Sequence, residues 1–198
     1  MSRRKNRFSY RSKLSEKQFK HILMLFELDL TAQQIAEICQ LNRNTVNRYL
    51  LLIRERIVQK WEKRNPLALV NNFEEIINQK FLDFSNKTII GIVENKKNIF
   101  SKIIQINSLR SEHIVYIPLI SCRKNKKSLL IDERYTLDKN KVLRLDAFWQ
   151  FTQNRLSKFR GINKTVFYLH LKESEIRFNG KDKNIYLSLL KFFHLTPL

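Results

Sequence analysis

Apolar residues recur every three to four positions from Ser15 onwards, and they mark three short helices in succession. Phe19, Ile22, Leu23 and Phe26 form the first stripe, and Ser15 with Gln18 supplies a reciprocal capping pair at its start. Thr31 caps a second helix that carries Ile35, Ala36, Ile38 and Cys39 on one face. After a hinge of Gln40, Leu41 and Asn42, a third helix begins with Asn42 as its cap and turns Val46, Tyr49, Leu50 and Ile53 inward. It runs past Ile57 towards Trp61 and ends before Asn65-Pro66, because the residue before a proline is biased away from helical backbone. Residues 15–64 therefore predict a three-helix unit of the kind that houses a helix-turn-helix.

From Phe73 the period changes. Residues 88–93 (TIIGIV) and 99–106 (IFSKIIQI) are β-branched runs separated by Asn95-Lys96-Lys97-Asn98, which predicts a hairpin. Residues 74–84 form a weaker strand candidate, and residues 129–132 (LLID) a short strand with Asp132 at its C-terminal end. Residues 111–120 are expected to be a helix between them, limited in length by Pro118. From Leu145 the pattern is helical again, through Phe148, Phe151, Leu156 and Phe159 up to Gly161, then over 166–178 and 185–193. Trp149 and its Phe neighbours read as core rather than as a platform for an unpaired base, and His170 as structural rather than a ligand. The class is α+β with α/β-like character, and residues 73–198 are long enough for a core of their own.

Charge adds a partner. The chain carries 38 Lys and Arg against 18 Asp and Glu, a net +20, and both parts are basic: residues 1–64 hold 15 basic and 6 acidic side chains, residues 65–198 hold 23 and 12. A polyanion is the simplest reason. The first 14 residues form a basic arm with Arg3, Arg4, Lys5 and Arg7 and no acid, expected to be disordered until it meets a phosphate backbone or else to remain a solvated tail. On the third helix the outer face carries Arg43, Asn44, Thr45, Asn47 and Arg48, residue types that reach phosphates and base edges of duplex DNA. The competing reading is a protein-interaction module with a solvated face, but such faces more often alternate Glu with Lys, and here no acid follows until Glu55. Arg155, Lys158 and Arg160 form a second basic patch, equally suited to phosphate contact and to solvation. No stretch approaches the ~18 apolar residues of a membrane span, and no apolar secretory region follows the basic start, which points to the cytoplasm and the nucleoid. Cys39 and Cys122 have no neighbour at ligand spacing, so neither a disulfide framework nor zinc is indicated, and Cys39 reads as a small core residue.

The last quarter of the chain is less generic. "DAFWQFTQNRLSKFRGI" followed by "FYLHLKESEIRFNG" resembles the end of a group of small bacterial insertion-sequence transposases, whose motif runs approximately E-x-F-W-x-F-x-K-x-R-L-x-K-F-x-G and then F-x-L-H-L-K-E-x-E-x-R-F-N. Residues 87–104 resemble the family's central hairpin, and residues 13–56 its helix-turn-helix. The resemblance implies that the second part is a ribonuclease H-like domain, in which Asp, Asp and Glu hold two divalent metals for cutting and joining DNA. Two metals about 4 Å apart need several converging carboxylates. Motif by motif, the second acid falls on Asp132 and the third on Asp146, an Asp in place of Glu. The first falls on Ile77, within the stretch that lies over the family's V-D-E-S-Y-F, and Gln153 takes the place of a basic helper. Only 13 residues separate Asp132 from Asp146, too few for the strand that the family has there.

The expected architecture is therefore a helix-turn-helix unit followed by a reduced, truncated ribonuclease H-like mixed sheet with C-terminal helices. The expected function is sequence-specific binding of element-end duplex DNA without catalysis, as a repressor or competitor of transposition. Asp132 and Asp146 are then remnants, with at most one weak ion at Asp132 and no cofactor, and the partners are DNA and other copies or intact transposase in homo- or hetero-oligomers. Two alternatives stand beside it: an active DDE transposase using Mg²⁺ or Mn²⁺, and a decayed remnant without a selected role.

Overall fold

The computed structural model describes residues 6–9, 14–63, 88–95, 97–105, 114–121, 129–131, 139–159, 162–180, 184–195 and 197. Helices α1 (Glu16–Glu27), α2 (Ala32–Cys39) and α3 (Arg43–Glu62) come first, then strands β1 (Thr88–Asn95), β2 (Asn98–Gln105), β3 (Ile114–Ser121) and β4 (Leu129–Ile131), then helices α4 (Lys139–Leu156), α5 (Lys164–Asn179) and α6 (Ile185–Leu195). This is an α+β chain with a helix-turn-helix at its N-terminal end. Among the described residues, no helix is long and apolar enough to cross a membrane. The chain divides into two compact units, one of Met1–Ile57 with Gly180–Leu198 and one of Val58–Asn179.

In the first unit the expected caps form. Ser15 and Thr31 each accept from the backbone three residues on, and Gln18 and Gln34 return the bond, so two otherwise orphaned N–H groups are satisfied at each start. The core side of α1 is Phe19, Ile22, Leu23, Leu25 and Phe26. Phe19 is fully buried and is the meeting point of three rings: Phe8 stacks on it at 5.8 Å, while Tyr49 and Phe193 approach edge-on at 6.2 and 5.8 Å. Two expectations are corrected here. Residues 6–9, expected to be disordered, are packed: Asn6 donates to the Leu14 carbonyl and accepts from the Phe8 N–H, and Phe8 is buried. Residues 180–198, assigned by sequence to the second domain, belong to the first unit, because Leu189 and Phe193 complete its core and Glu27 accepts from the Tyr186 N–H.

The second unit is built on a mixed sheet in the order β2-β1-β3-β4. β1 and β2 are antiparallel, with Asn95 opposite Asn98, so the predicted hairpin is present. Residues 111–120, expected to be helical, contain β3 instead. Its β-branched residues suit a strand, and Pro118 is the last residue paired with β1, after which Leu119 begins the antiparallel ladder with β4. The missing N–H thus falls where β3 changes partner. Helix α4 begins at Lys139 rather than at Leu145. Its Leu145, Phe148 and Trp149 pack with Ile90, Ile92 and Ile99 of the hairpin and with Phe167 and Leu171 of α5, so Trp149 is a core residue. The strand candidate at 74–84, Ile77 and Asp132 lie outside the described residues.

From Phe167 to Arg177 helix α5 has no exposed residue. Lys172, Glu173, Ser174, Glu175 and Arg177 are all buried, together with Phe167, His170 and Leu171. Lys172 Nζ is 3.0 Å from Glu175 and 2.7 Å from Glu62. Glu175 also accepts from Trp61 Nε1 at 2.8 Å and from the Ser101 N–H and hydroxyl at 2.7 and 2.6 Å. Burial pushes the Glu175 carboxyl up, and Lys172 and Ser101 oppose that shift. Burial, followed by the hydrogen bond to Glu62, likewise raises the Tyr168 phenol.

Two outcomes are expected from this packing. Phe193→Ala should lower the unfolding free energy by about 3–5 kcal/mol in urea titration, whereas Leu195→Ala, at an 80 % exposed position, should change it by less than about 0.5 kcal/mol. Equal effects would mean that α6 is not part of the core. Lys172→Met should cost about 3–5 kcal/mol by leaving Glu175 buried without its cation, and adding Glu175→Gln should restore part of the loss. A double variant less stable than Lys172→Met would refute that account.

Candidate nucleic-acid interface

The turn between α2 and α3 is tight because Gln40 takes a left-handed conformation, φ 51° and ψ 46°, which lets the Leu41 N–H return to the Ala36 carbonyl at 2.9 Å. Asn42 then opens α3, with its Oδ1 accepting from the Asn44 N–H at 2.8 Å. Only Ile35 and Ala36 of α2 are buried. Ile38, expected on the inner face, is 51 % exposed, and Cys39 is half-buried with its Sγ 3.6 Å from His21 Nδ1. Burial pushes the Cys39 thiol up, which keeps it neutral.

Helix α3 is held by Val46, Tyr49, Leu50, Ile53 and Ile57. Arg43, Asn44, Asn47 and Arg48 are exposed and Thr45 is half-buried, so the structure brings these residues together on the first turn and a half. Arg54, further along, is withdrawn from this surface: it is buried, with its guanidinium 5.8 Å from the Phe26 ring.

The other sequence-predicted positions are scattered. Arg3, Arg4 and Lys5 lie outside the described residues, and Arg7 is exposed but paired with Glu16 at 3.3 Å. Asp146 is half-buried on α4. Lys158 is exposed, but Arg155, expected beside it on a phosphate-facing patch, is 2 % exposed. Its guanidinium contacts Glu173 at 2.6 Å and donates to the His170 carbonyl and the Ser174 hydroxyl at 3.2 and 3.1 Å. Glu173 also holds Arg177 at 2.8 Å. Arg155 is thus a buried structural cation, held by Glu173, His170 and Ser174 rather than turned to a phosphate. The signal for it was faint: Glu173 and Arg177 are one helical turn apart, a spacing that more often marks a solvated face.

Residues 12–57 match the family described as sigma-70, region 4, which covers α1, α2 and most of α3. The chain is also 30 % identical over 104 residues to an uncharacterised transposase-like protein of Haemophilus influenzae, an alignment spanning 52 % of this chain and 80 % of the relative. No solved structure matches it. With 80 % of that relative covered and residues 12–57 matching a helix-turn-helix family, the chain belongs to the transposase-like family and carries a DNA-binding helix-turn-helix domain.

Proposed function

We propose that the chain recognises the duplex DNA at the ends of an insertion element and acts there without strand transfer, as a repressor or as a competitor of intact transposase. The observation that carries this reading is the face of α3: Arg43, Asn44, Asn47 and Arg48 are exposed on the segment that a recognition helix inserts into the major groove. Asn pairs bidentately with adenine N6 and N7 and Arg with guanine O6 and N7, so A·T and G·C pairs each have a reader. In this reading Arg3, Arg4 and Lys5, with the exposed Arg7, track the phosphate backbone, and residues 15–64 with the C-terminal helix form the DNA-binding head. The cellular setting is the cytoplasm at the nucleoid, and association with intact transposase would carry the competition.

The second unit is read as a reduced ribonuclease H-like domain, a view supported by the mixed sheet and by the family motif on α4 and α5. The donor set does not fit two divalent metals. Ile77 stands at the position of the first acid, and only Asp132 and Asp146 remain of the three. No catalytic step is assigned.

Binding should separate the two kinds of contact. Arg43→Ala or Asn47→Ala should cost about 1–3 kcal/mol at the preferred duplex and little on random DNA. Removal of Arg3, Arg4, Lys5 and Arg7 should weaken all duplexes alike, lowering the slope of log affinity against log salt by roughly one unit per lost phosphate contact. An unchanged ratio of specific to random affinity in Arg43→Ala and Asn47→Ala would remove α3 as a base reader. Calorimetry with Mg²⁺ or Mn²⁺ should give at most one weak ion per chain, sensitive to Asp132→Ala. Two sites, or metal-dependent nicking of element ends, would restore the reading as an active transposase.

A further inference from the structure

The outer side of α3 does not stay polar along its length. One turn beyond Asn47, in line with Asn44 and Arg48, stands Leu51, half-buried on a helix whose core side is already filled by Val46, Tyr49, Leu50, Ile53 and Ile57. At about 100° per residue, Leu51 is about 200° round the helix from Ile53, which is fully buried. It therefore lies nearly opposite the packed side, at the centre of the surface flanked by Asn44, Asn47 and Arg48. Beyond it, the next residue on this face is Glu55.

We propose that Leu51 is a specificity-determining residue that reads the 5-methyl group of a thymine in the major groove. The inference rests on the base-reading role of α3 proposed above and names part of its target. A branched apolar side chain has no hydrogen bond to offer a base edge, and it would displace water from the carbonyl and amino groups of the groove without replacing the lost bonds. The thymine methyl is the apolar group on the major-groove edge, and contact with it removes apolar surface of both partners from water. Asn47 and Leu51 are separated by about 6 Å along the helix axis, close to two base-pair steps of about 3.4 Å. The thymine is then expected within about two base pairs of an adenine held by Asn47.

The experiment begins with selection of duplexes from a randomised pool by the full chain, followed by replacement of each selected thymine, one at a time, with deoxyuridine, which removes only the methyl. At one thymine the wild-type affinity should fall about fourfold, the worth of one buried methyl-sized group. Leu51→Ala should bind the thymine and uracil forms equally, and Leu51→Met should keep the difference. Circular dichroism checks that each variant is helical, and Leu51→Gln replaces Leu51→Ala if the latter unfolds. A pool without enrichment would overturn base reading by α3 itself. Enrichment that depends on Arg43 and Asn47 but shows no sensitivity to deoxyuridine would overturn the role of Leu51 alone. So would a methyl preference that persists in both Leu51→Ala and Leu51→Gln.

Discussion

The orientation of helix α3 depends on one aromatic side chain, Phe19. Helices of 12 and 8 residues, the lengths of α1 and α2, do not persist alone in water. What turns them and the start of α3 into one body is the buried ring of Phe19, on which Phe8, Tyr49 and Phe193 converge from three separate parts of the chain. Each such ring contact contributes about 0.5–1.5 kcal/mol beyond the area it buries. With Tyr49 fixed against Phe19, the rotation of α3 about its axis is set, and Asn44, Asn47 and Arg48 must face outward.

The second unit meets a different constraint, that of charge within its core. Lys172 and Glu175 have side chains with no exposure, and Arg155, Glu173 and Arg177 nearly none. Ions in that position are costly unless each finds a partner and its hydrogen bonds. In the observed setting of α5, Lys172 reaches Glu62 and Glu175, Glu175 reaches Trp61 and Ser101, and Glu173 reaches Arg155. The excess of basic residues is therefore not a uniform coating for DNA, since some cations serve the fold and others, such as Arg43 and Arg48, are left outside.

Membership of a transposase-like family settles ancestry more than chemistry, because activity resides in a site grafted on a fold. The helix-turn-helix keeps its caps, its tight turn and a first turn and a half of α3 whose exposed face carries no acid.

Features set by neighbours along the chain are legible in the sequence alone. The Ser15 and Thr31 caps, the hinge at Gln40, the hairpin at Asn95–Asn98 and the inner face of α3 all depend on residues within a turn or two of one another, and their periods are unambiguous. The exposed cluster on α3 follows, because a helix with one apolar side must turn the rest to solvent. Legibility ends where the partner is distant in sequence. The segment of β3 has the pattern of a broken helix, and it is β1 that makes it a strand by offering a parallel ladder up to Pro118. Arg155 has the pattern of a surface cation because nothing near it in sequence shows that Glu173 will be brought to it. Residues 185–195 carry a helical pattern that does not say which core they will join. Local backbone preferences act between adjacent residues, but burial is decided by which surfaces meet, and only the folded chain brings Phe193 to Phe19.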